Sequence, residues 1–192
     1  IMQGYAMVAD EVVEELAPPP THVFVPGGGG ILTGACCGHL WERYGRERPR
    51  MVVVEPTASC CLYESARVGR PVMVGQATSV MDGLVVEEAS AEPCATLNAG
   101  AFAFLTVPDL AAVDAMRGAA QSEGGDPSLA IGDTGSAGWA GFLAAVGDVE
   151  TRQALALDGD SRVVIVVTEG ATDPAVYRSI VGRDPSDFSD TL

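Results

Sequence analysis

The sequence predicts an α/β fold, a three-layer arrangement in which a mostly parallel sheet is covered by helices on both faces. Three observations predict it. Short continuous apolar runs, Val23-Phe24-Val25, Met51–Val54 and Arg162–Val167, read as strands buried on both faces. Segments with helical spacing of apolar residues separate these runs. The 192 residues, 47% hydrophobic, are enough for one domain with a real core.

The elements follow in order. Tyr5–Leu16 places Met7, Val8, Val12, Val13 and Leu16 at helical spacing, and Pro18-Pro19-Pro20 stops that helix. Val23–Val25 is the first strand. Thr33–Tyr44 has helical character and ends at Gly45, a residue type favoured just past a helix end. Met51–Val54 is a second strand ending at Glu55-Pro56, Thr57–Val68 a helix, and Val72–Val74 a short strand. Met81–Cys94 reads as irregular. Leu97–Leu105 and Asp109–Ala120 read as helices, with Pro108 where a helix start tolerates it. Glu123–Gly138 is rich in Gly, Asp and Ser and reads as a loop; Trp139–Val146 is helical. Arg162–Val167 is the most strongly β-branched run. Thr168-Glu169-Gly170 follows it, and a last helix lies near Pro174–Val181. In parallel sheets ligands bind beyond the C-terminal strand ends. The glycine run Gly27–Gly30, Glu55-Pro56 and Thr168-Glu169-Gly170 are the loops expected there.

The four consecutive glycines carry the chemistry. A strand, a glycine turn and a helix aim several backbone N–H groups at one point, and the helix N-terminus adds partial positive charge. Glycine permits positive φ and close approach of a ligand. Gly27–Gly30 therefore reads as a phosphate cradle. Other motifs fail. The dinucleotide fingerprint breaks because Leu32 and Thr33 stand five places after Gly27 and Gly28; Gly34 is followed by Ala35, not by a Walker lysine. No GxSxG occurs, since Thr134 stands two places before Ser136.

Composition excludes further classes. A formal charge of −15 argues against a nucleic-acid partner. The chain has no lysine, all its fixed positive charge being arginine, so it cannot form a lysine Schiff base. Five cysteines, two pairs of them adjacent and none in a CxxC, with only His22 and His39 to help, indicate buried thiols rather than a disulfide framework or metal site. No signal peptide or membrane-spanning stretch is read, and a cytoplasmic protein is expected. Because the chain opens on Ile1 and runs straight into a helical pattern without a cap, a fragment of a longer protein is expected.

The stretch Gly27-Gly28-Gly29-Gly30-Ile31-Leu32-Thr33-Gly34 resembles the phosphate loop of fold type II pyridoxal-phosphate enzymes, the tryptophan synthase beta-like superfamily that includes threonine dehydratases and serine racemases. Further stretches narrow the resemblance to the diaminopropionate ammonia-lyases: Ile1-Met2-Gln3-Gly4-Tyr5, Thr21-His22-Val23-Phe24, Val54-Glu55-Pro56 with Cys61-Leu62, and Glu92-Pro93-Cys94. Gly125-Asp126-Pro127, Gly132-Asp133-Thr134-Gly135-Ser136-Ala137-Gly138 and Thr168-Glu169-Gly170-Ala171-Thr172-Asp173-Pro174 complete the ordered set, which runs over essentially the whole chain. There are two departures. The family's glycine loop more often has a Gln-Ala-Gly-Val-Gly-Ala form, whereas Pro26 and four glycines are closer to the dehydratases. Asp133-Thr134 also replaces the usual Glu-Ser.

The resemblance implies a large-domain fold of this type, pyridoxal 5'-phosphate as cofactor and a small amino-acid substrate. It implies that Gly27, Gly28, Gly29, Gly30 and Ile31 hold the cofactor phosphate and that Thr168 hydrogen-bonds the pyridine nitrogen. Glu55 and Asp133 would orient the ring or the substrate amine, with helix capping and loop hydrogen bonding as the equal alternative; Gly135 and Ser136 would lie beside the cofactor. It implies a C-terminal half, residues 1–192 forming one α/β domain. The Schiff-base lysine and catalytic acids would lie upstream, so no catalytic residue is expected in this chain and it is expected to be inactive alone. The intact enzyme would be a homodimer that eliminates ammonia from 2,3-diaminopropionate to give pyruvate and ammonia. A threonine or serine dehydratase, and a non-catalytic binding domain or degenerate paralogue, stay open.

Overall fold

The computed structural model describes residues 2–75, 77–121 and 126–188. Four parallel strands form one sheet in the order β3-β2-β1-β4: β1 His22–Pro26, β2 Arg50–Pro56, β3 Ala103–Val107 and β4 Val163–Ile165. Eight α-helices accompany them among the described residues: α1 Met2–Glu15, α2 Ile31–Tyr44, α3 Cys61–Val68, α4 Ala91–Gly100, α5 Asp109–Ala120, α6 Ala137–Gly147, α7 Val149–Leu155 and α8 Pro174–Val181.

The strand period of two sorts the core into two halves. Val23, Val25, Met51 and Val53 point to one face, where they meet Cys36, Cys37 and Leu40 of α2 and Cys94 and Leu97 of α4. Phe24, Val52 and Val54 point to the other, against Ala112 and Ala115 of α5 and Ala137, Ala140 and Ala145 of α6. Phe24 meets Phe142 edge-on at 5.6 Å between ring centroids. A third cluster, Met116, Ile131 and Tyr177, fixes α8 against α5. All five cysteines are free thiols, and burial pushes the Cys36 and Cys37 thiols up to about 11.

Several assignments differ from expectation. Leu97–Leu105 is not one helix: α4 ends at Gly100, and Ala103–Val107 pairs with β2 as an edge strand. Local helical spacing yields here to sheet pairing. Gly100 also sits where a Cβ would be 2.5 Å from the Cys37 sulfur, so the chain turns against α2. Val72–Val74 contributes only an isolated antiparallel bridge, Met73 to Glu88. The irregular stretch holds a 3-10 turn, Asp82–Leu84, and the first turn of α4. The short α7, capped by the Asp148 side chain on the Thr151 amide at 2.7 Å, was not expected.

Glu55, at the end of β2, sets the geometry beneath the first β–α turn. It is 1% exposed, and its carboxylate accepts from the Leu62 and Tyr63 amides at 3.1 and 2.7 Å, capping α3. Burial pushes its pKa from 4.5 up to about 7 against the pull of those donors. A folded-state pKa above the unfolded one favours folding at low pH. That contribution is fully present below 4.5 and is lost as pH rises through about 7. His22, buried with its ring 2.9 Å from the Leu155 carbonyl, is shifted down by burial, so its contribution runs the other way below 6.5. Denaturant titrations from pH 4.5 to 7 should therefore show Glu55→Gln gaining on the parent with rising pH, by on the order of 3 kcal/mol across the window. Parallel curves for the two proteins would refute the assignment. Gly141 gives a second test. A Cβ there would lie 2.6 Å from a Val54 methyl, so Gly141→Ala should cost about 1–3 kcal/mol in unfolding free energy by overpacking α6 on the sheet.

Candidate functional site

The first β–α turn is built by four contacts. The Gly27 amide donates to the Val54 carbonyl at 2.8 Å, extending the β1–β2 ladder by one rung. The Thr33 hydroxyl donates to the Pro26 carbonyl at 2.7 Å, folding the first turn of α2 back over β1. The Ser90 amide donates to the Gly29 carbonyl at 3.2 Å, and the Gly34 amide to the Gly30 carbonyl at 2.7 Å. Two features require glycine. A Cβ on Gly27 would lie 2.4 Å from Glu55 Cγ, and Gly30, the N-cap of α2, has φ 88° with Leu62 and Pro93 about 3 Å from where a Cβ would stand. Gly28 is also left-handed, at φ 63°.

The result is a cluster of donors with no protein acceptor. Among the described residues the amides of Gly28, Gly29, Gly30 and Ile31 donate to no protein group. They stand at the N-terminus of a 14-residue helix, whose dipole adds positive potential. An anion with several acceptor oxygens, above all a phosphate, suits that arrangement.

These glycines open onto a cavity of about 680 Å³. Gly27, Gly28, Gly29 and Ile31 form one wall, Gly83 and Leu84 another, and Thr168 and Glu169 a third. Thr168 is exposed, and its hydroxyl makes no hydrogen bond within the described protein. The structure thus brings the expected phosphate loop and the expected ring-facing hydroxyl onto one cavity.

The remaining predicted residues stand behind its walls. Gly30 is buried at the helix cap. Glu55 lies under the glycine loop with its oxygens committed to α3. The Asp133 carboxylate accepts from the Thr134 amide at 2.6 Å, and Glu169 accepts from the same amide at 3.1 Å. Burial pushes the Glu169 carboxyl up, and the charge of Asp133 adds to the rise. The wholly buried Ser136 donates to the Asp133 carbonyl at 2.7 Å. Gly135 is clamped: a Cβ there would be 2.5 Å from the Glu169 carbonyl oxygen. Gly125 lies outside the described residues. Sequence reasoning missed Gly83, whose amide donates to the Thr134 hydroxyl at 3.0 Å and so ties two walls together. The only signal was a glycine in a stretch read as irregular.

Among the described residues no helix is long and apolar enough to cross a membrane, and no group of three or more His, Cys, Asp or Glu could hold a metal ion. The amide cradle and the Thr168 hydroxyl fit the phosphate and ring-nitrogen ends of pyridoxal phosphate; the chain has no lysine for its aldehyde.

Comparison with known proteins gives the family. The sequence profile of the family described as "Pyridoxal-phosphate dependent enzyme" matches residues 1–169. The diaminopropionate ammonia-lyase of Escherichia coli K12 is 36% identical over 189 residues, covering 94% of this chain and 47% of that protein. The biosynthetic L-threonine dehydratase of Mycobacterium tuberculosis H37Rv is 29% identical over 182 residues, covering 94% and 39%. The chain spans about half the length of the curated relatives it matches. The crystal structure of holo diaminopropionate ammonia lyase from Escherichia coli superposes with a TM-score of 0.81 at 33% identity, covering 94% of this chain and 46% of that one. Maize serine racemase, at 21% identity and TM-score 0.77, covering 94% and 54%, shares the fold. The parallel sheet, the glycine turn after β1 and these relatives place the chain in the pyridoxal-phosphate dependent enzyme family, with the α/β fold of its type II members.

Proposed function

We propose that this chain is the cofactor-cradling half of a pyridoxal-phosphate ammonia-lyase acting on 2,3-diaminopropionate, residues 1–192 forming one α/β domain. The observation that carries the reading is the shared cavity, with the unpartnered amides of Gly28, Gly29 and Ile31 on one wall and the unpartnered Thr168 hydroxyl on another. In this reading the amides and the α2 dipole hold the cofactor phosphate. Thr168 meets the pyridine nitrogen as a hydroxyl rather than a carboxylate, which leaves that nitrogen largely unprotonated. Bound there, pyridoxal phosphate supplies the electron sink that makes the α-proton of an amino acid acidic and permits loss of ammonia from the β-carbon. Asp133, Thr134 and Glu169 hold the Thr168 wall, and Gly83 closes it through Thr134. The amine that binds the cofactor aldehyde, and the base that takes the α-proton, come from a polypeptide segment outside these 192 residues. The intact enzyme is a cytoplasmic homodimer.

The dehydratase reading has one observation in its favour, the Pro26–Gly30 loop, which is closer to the dehydratase form than to the usual ammonia-lyase form. Co-expression with the upstream half of the Escherichia coli relative separates the two. Pyruvate and ammonia from 2,3-diaminopropionate, with little turnover of threonine or serine, supports the ammonia-lyase; the reverse preference supports the dehydratase.

The chain alone gives two expected outcomes. Purified and mixed with pyridoxal phosphate, it should bind the cofactor reversibly and show no absorbance band of a lysine imine; such a band would refute the division of roles. Gly29→Asp, which puts a carboxylate into the amide cradle where space allows a side chain, should weaken pyridoxal-phosphate binding at least about tenfold in equilibrium dialysis. Thr168→Val should weaken it less and leave inorganic phosphate binding unchanged.

A further inference from the structure

At the opposite end of the sheet from the glycine loop lies a second cavity, of about 580 Å³, lined by Arg46, Arg48, Arg50 and Arg162. Four of the eleven arginines of a chain with net charge −15 converge there. Three come from one short charged run, Arg46 to Arg50, that leads into β2. Arg162 joins them from the start of β4, because β1 pairs with both strands. The convergence is therefore a product of the fold, not of one basic stretch.

Three of the four guanidiniums are oriented without being neutralised. Arg48 stacks on Trp41 at 3.9 Å from the ring centroid and donates to the Gly45 carbonyl at 3.0 Å. Arg50 lies 5.3 Å over Phe102 and reaches the Ala156 carbonyl at 3.5 Å. Arg162 donates through Nε to the Pro19 carbonyl at 3.0 Å, which leaves the other edge of its fork free. Among the described residues none of the four pairs with a carboxylate. One carboxylate, Glu47, lines the same cavity. Four fixed positive charges against one negative, on walls stiffened by Pro19, Pro20 and Pro49, form a concave site whose free N–H groups match a multiply charged oxyanion.

We propose that this cavity is a second phosphate-binding site, independent of the glycine loop, for inorganic phosphate or the phosphate end of a small metabolite. The five residues of β1 separate the two sites by roughly 15 Å, so they bind separate groups.

Titration of the isotopically labelled chain with inorganic phosphate at low ionic strength, followed by amide chemical shifts, tests it. Two sets of shifts are expected, one at Gly28–Ile31 and one at Thr21, Arg50, Ala101, Phe102 and Arg162. Glycerol 3-phosphate is the second arm. Equal affinities assign the site to the free ion, and tighter binding of the ester assigns it to a metabolite. The double variant Arg50→Gln, Arg162→Gln should weaken the second set more than about tenfold and leave the first untouched. Should that variant fail to fold, Arg46→Gln, which removes no contact to the protein, is expected to weaken the same set at least about threefold, and Glu47→Gln to strengthen it. Arg67→Gln, whose guanidinium pairs with Glu64, should change nothing. Shifts confined to the glycine loop, shifts spread over all arginines alike, or unchanged titrations in the arginine variants would each overturn the proposal. Loss of the glycine-loop set alone would count against the cofactor reading and leave this one standing.

Discussion

The hydrogen bond from the Gly27 amide to the Val54 carbonyl is the last rung that β1 shares with β2, and the site depends on what the chain must do one residue later. Glu55 follows Val54, and its buried side chain fills the space where a residue-27 Cβ would stand. A side chain at 27 would drive the two strands apart or push Glu55 off the amides of α3. With glycine there, the chain passes over Glu55, turns through left-handed Gly28 and Gly30, and enters α2 with its first amides facing outward. One steric constraint thus links the strand ladder, the cap of α3 and the anion cradle. Of the two roles the sequence left open for Glu55, orienting a ligand or capping a helix, the geometry gives the second: both oxygens accept from the first amides of α3.

The third wall rests on a similar economy of backbone. Thr168 follows a β-branched run, and its position is fixed by contacts made behind it. Gly132 and Gly135 press against the Glu169–Gly170 backbone so closely that a Cβ on either would collide at 2.3 to 2.5 Å. Glu169 then reaches back to the Thr134 amide. Asp133, Thr134 and Glu169 pair with one another behind Thr168, whose hydroxyl makes no hydrogen bond within the described protein. Preorganisation of this kind keeps donors oriented toward a ligand instead of toward each other.

How much of this was legible in the sequence depended on whether the cause was local. The strands around Phe24 and Val53 were legible because residues buried on both faces leave a continuous apolar run, and the glycine turn was legible because only backbone chemistry uses four glycines in a row. The strand Ala103–Val107 was not. Its spacing suits a helix as well, and only pairing with β2, a contact about fifty residues away in sequence, decides the matter. The Gly83–Thr134 bond was hidden for the same reason, its partners being 51 residues apart. Glu55 was ambiguous because a carboxylate after a strand caps a helix or meets a ligand with equal ease, and burial alone separates the two.

The same distinction explains why the two cavities differ in kind. The glycine cavity uses backbone amides, whose dipoles are fixed by the fold and do not change with pH, and so it can hold a phosphate without a lysine or an arginine nearby. The arginine cavity uses full charges on long side chains, which hold a direction only because Trp41, Phe102 and the Pro19 carbonyl restrain them. Among the described residues Arg67, Arg117 and Arg178 pair with carboxylates. Arg46, Arg48, Arg50 and Arg162 do not, although Glu47 is beside them. Three side chains restrained by stacking and carbonyl contacts, gathered with Arg46 from two distant stretches of sequence onto one cavity, concentrate positive charge where an anion can meet it.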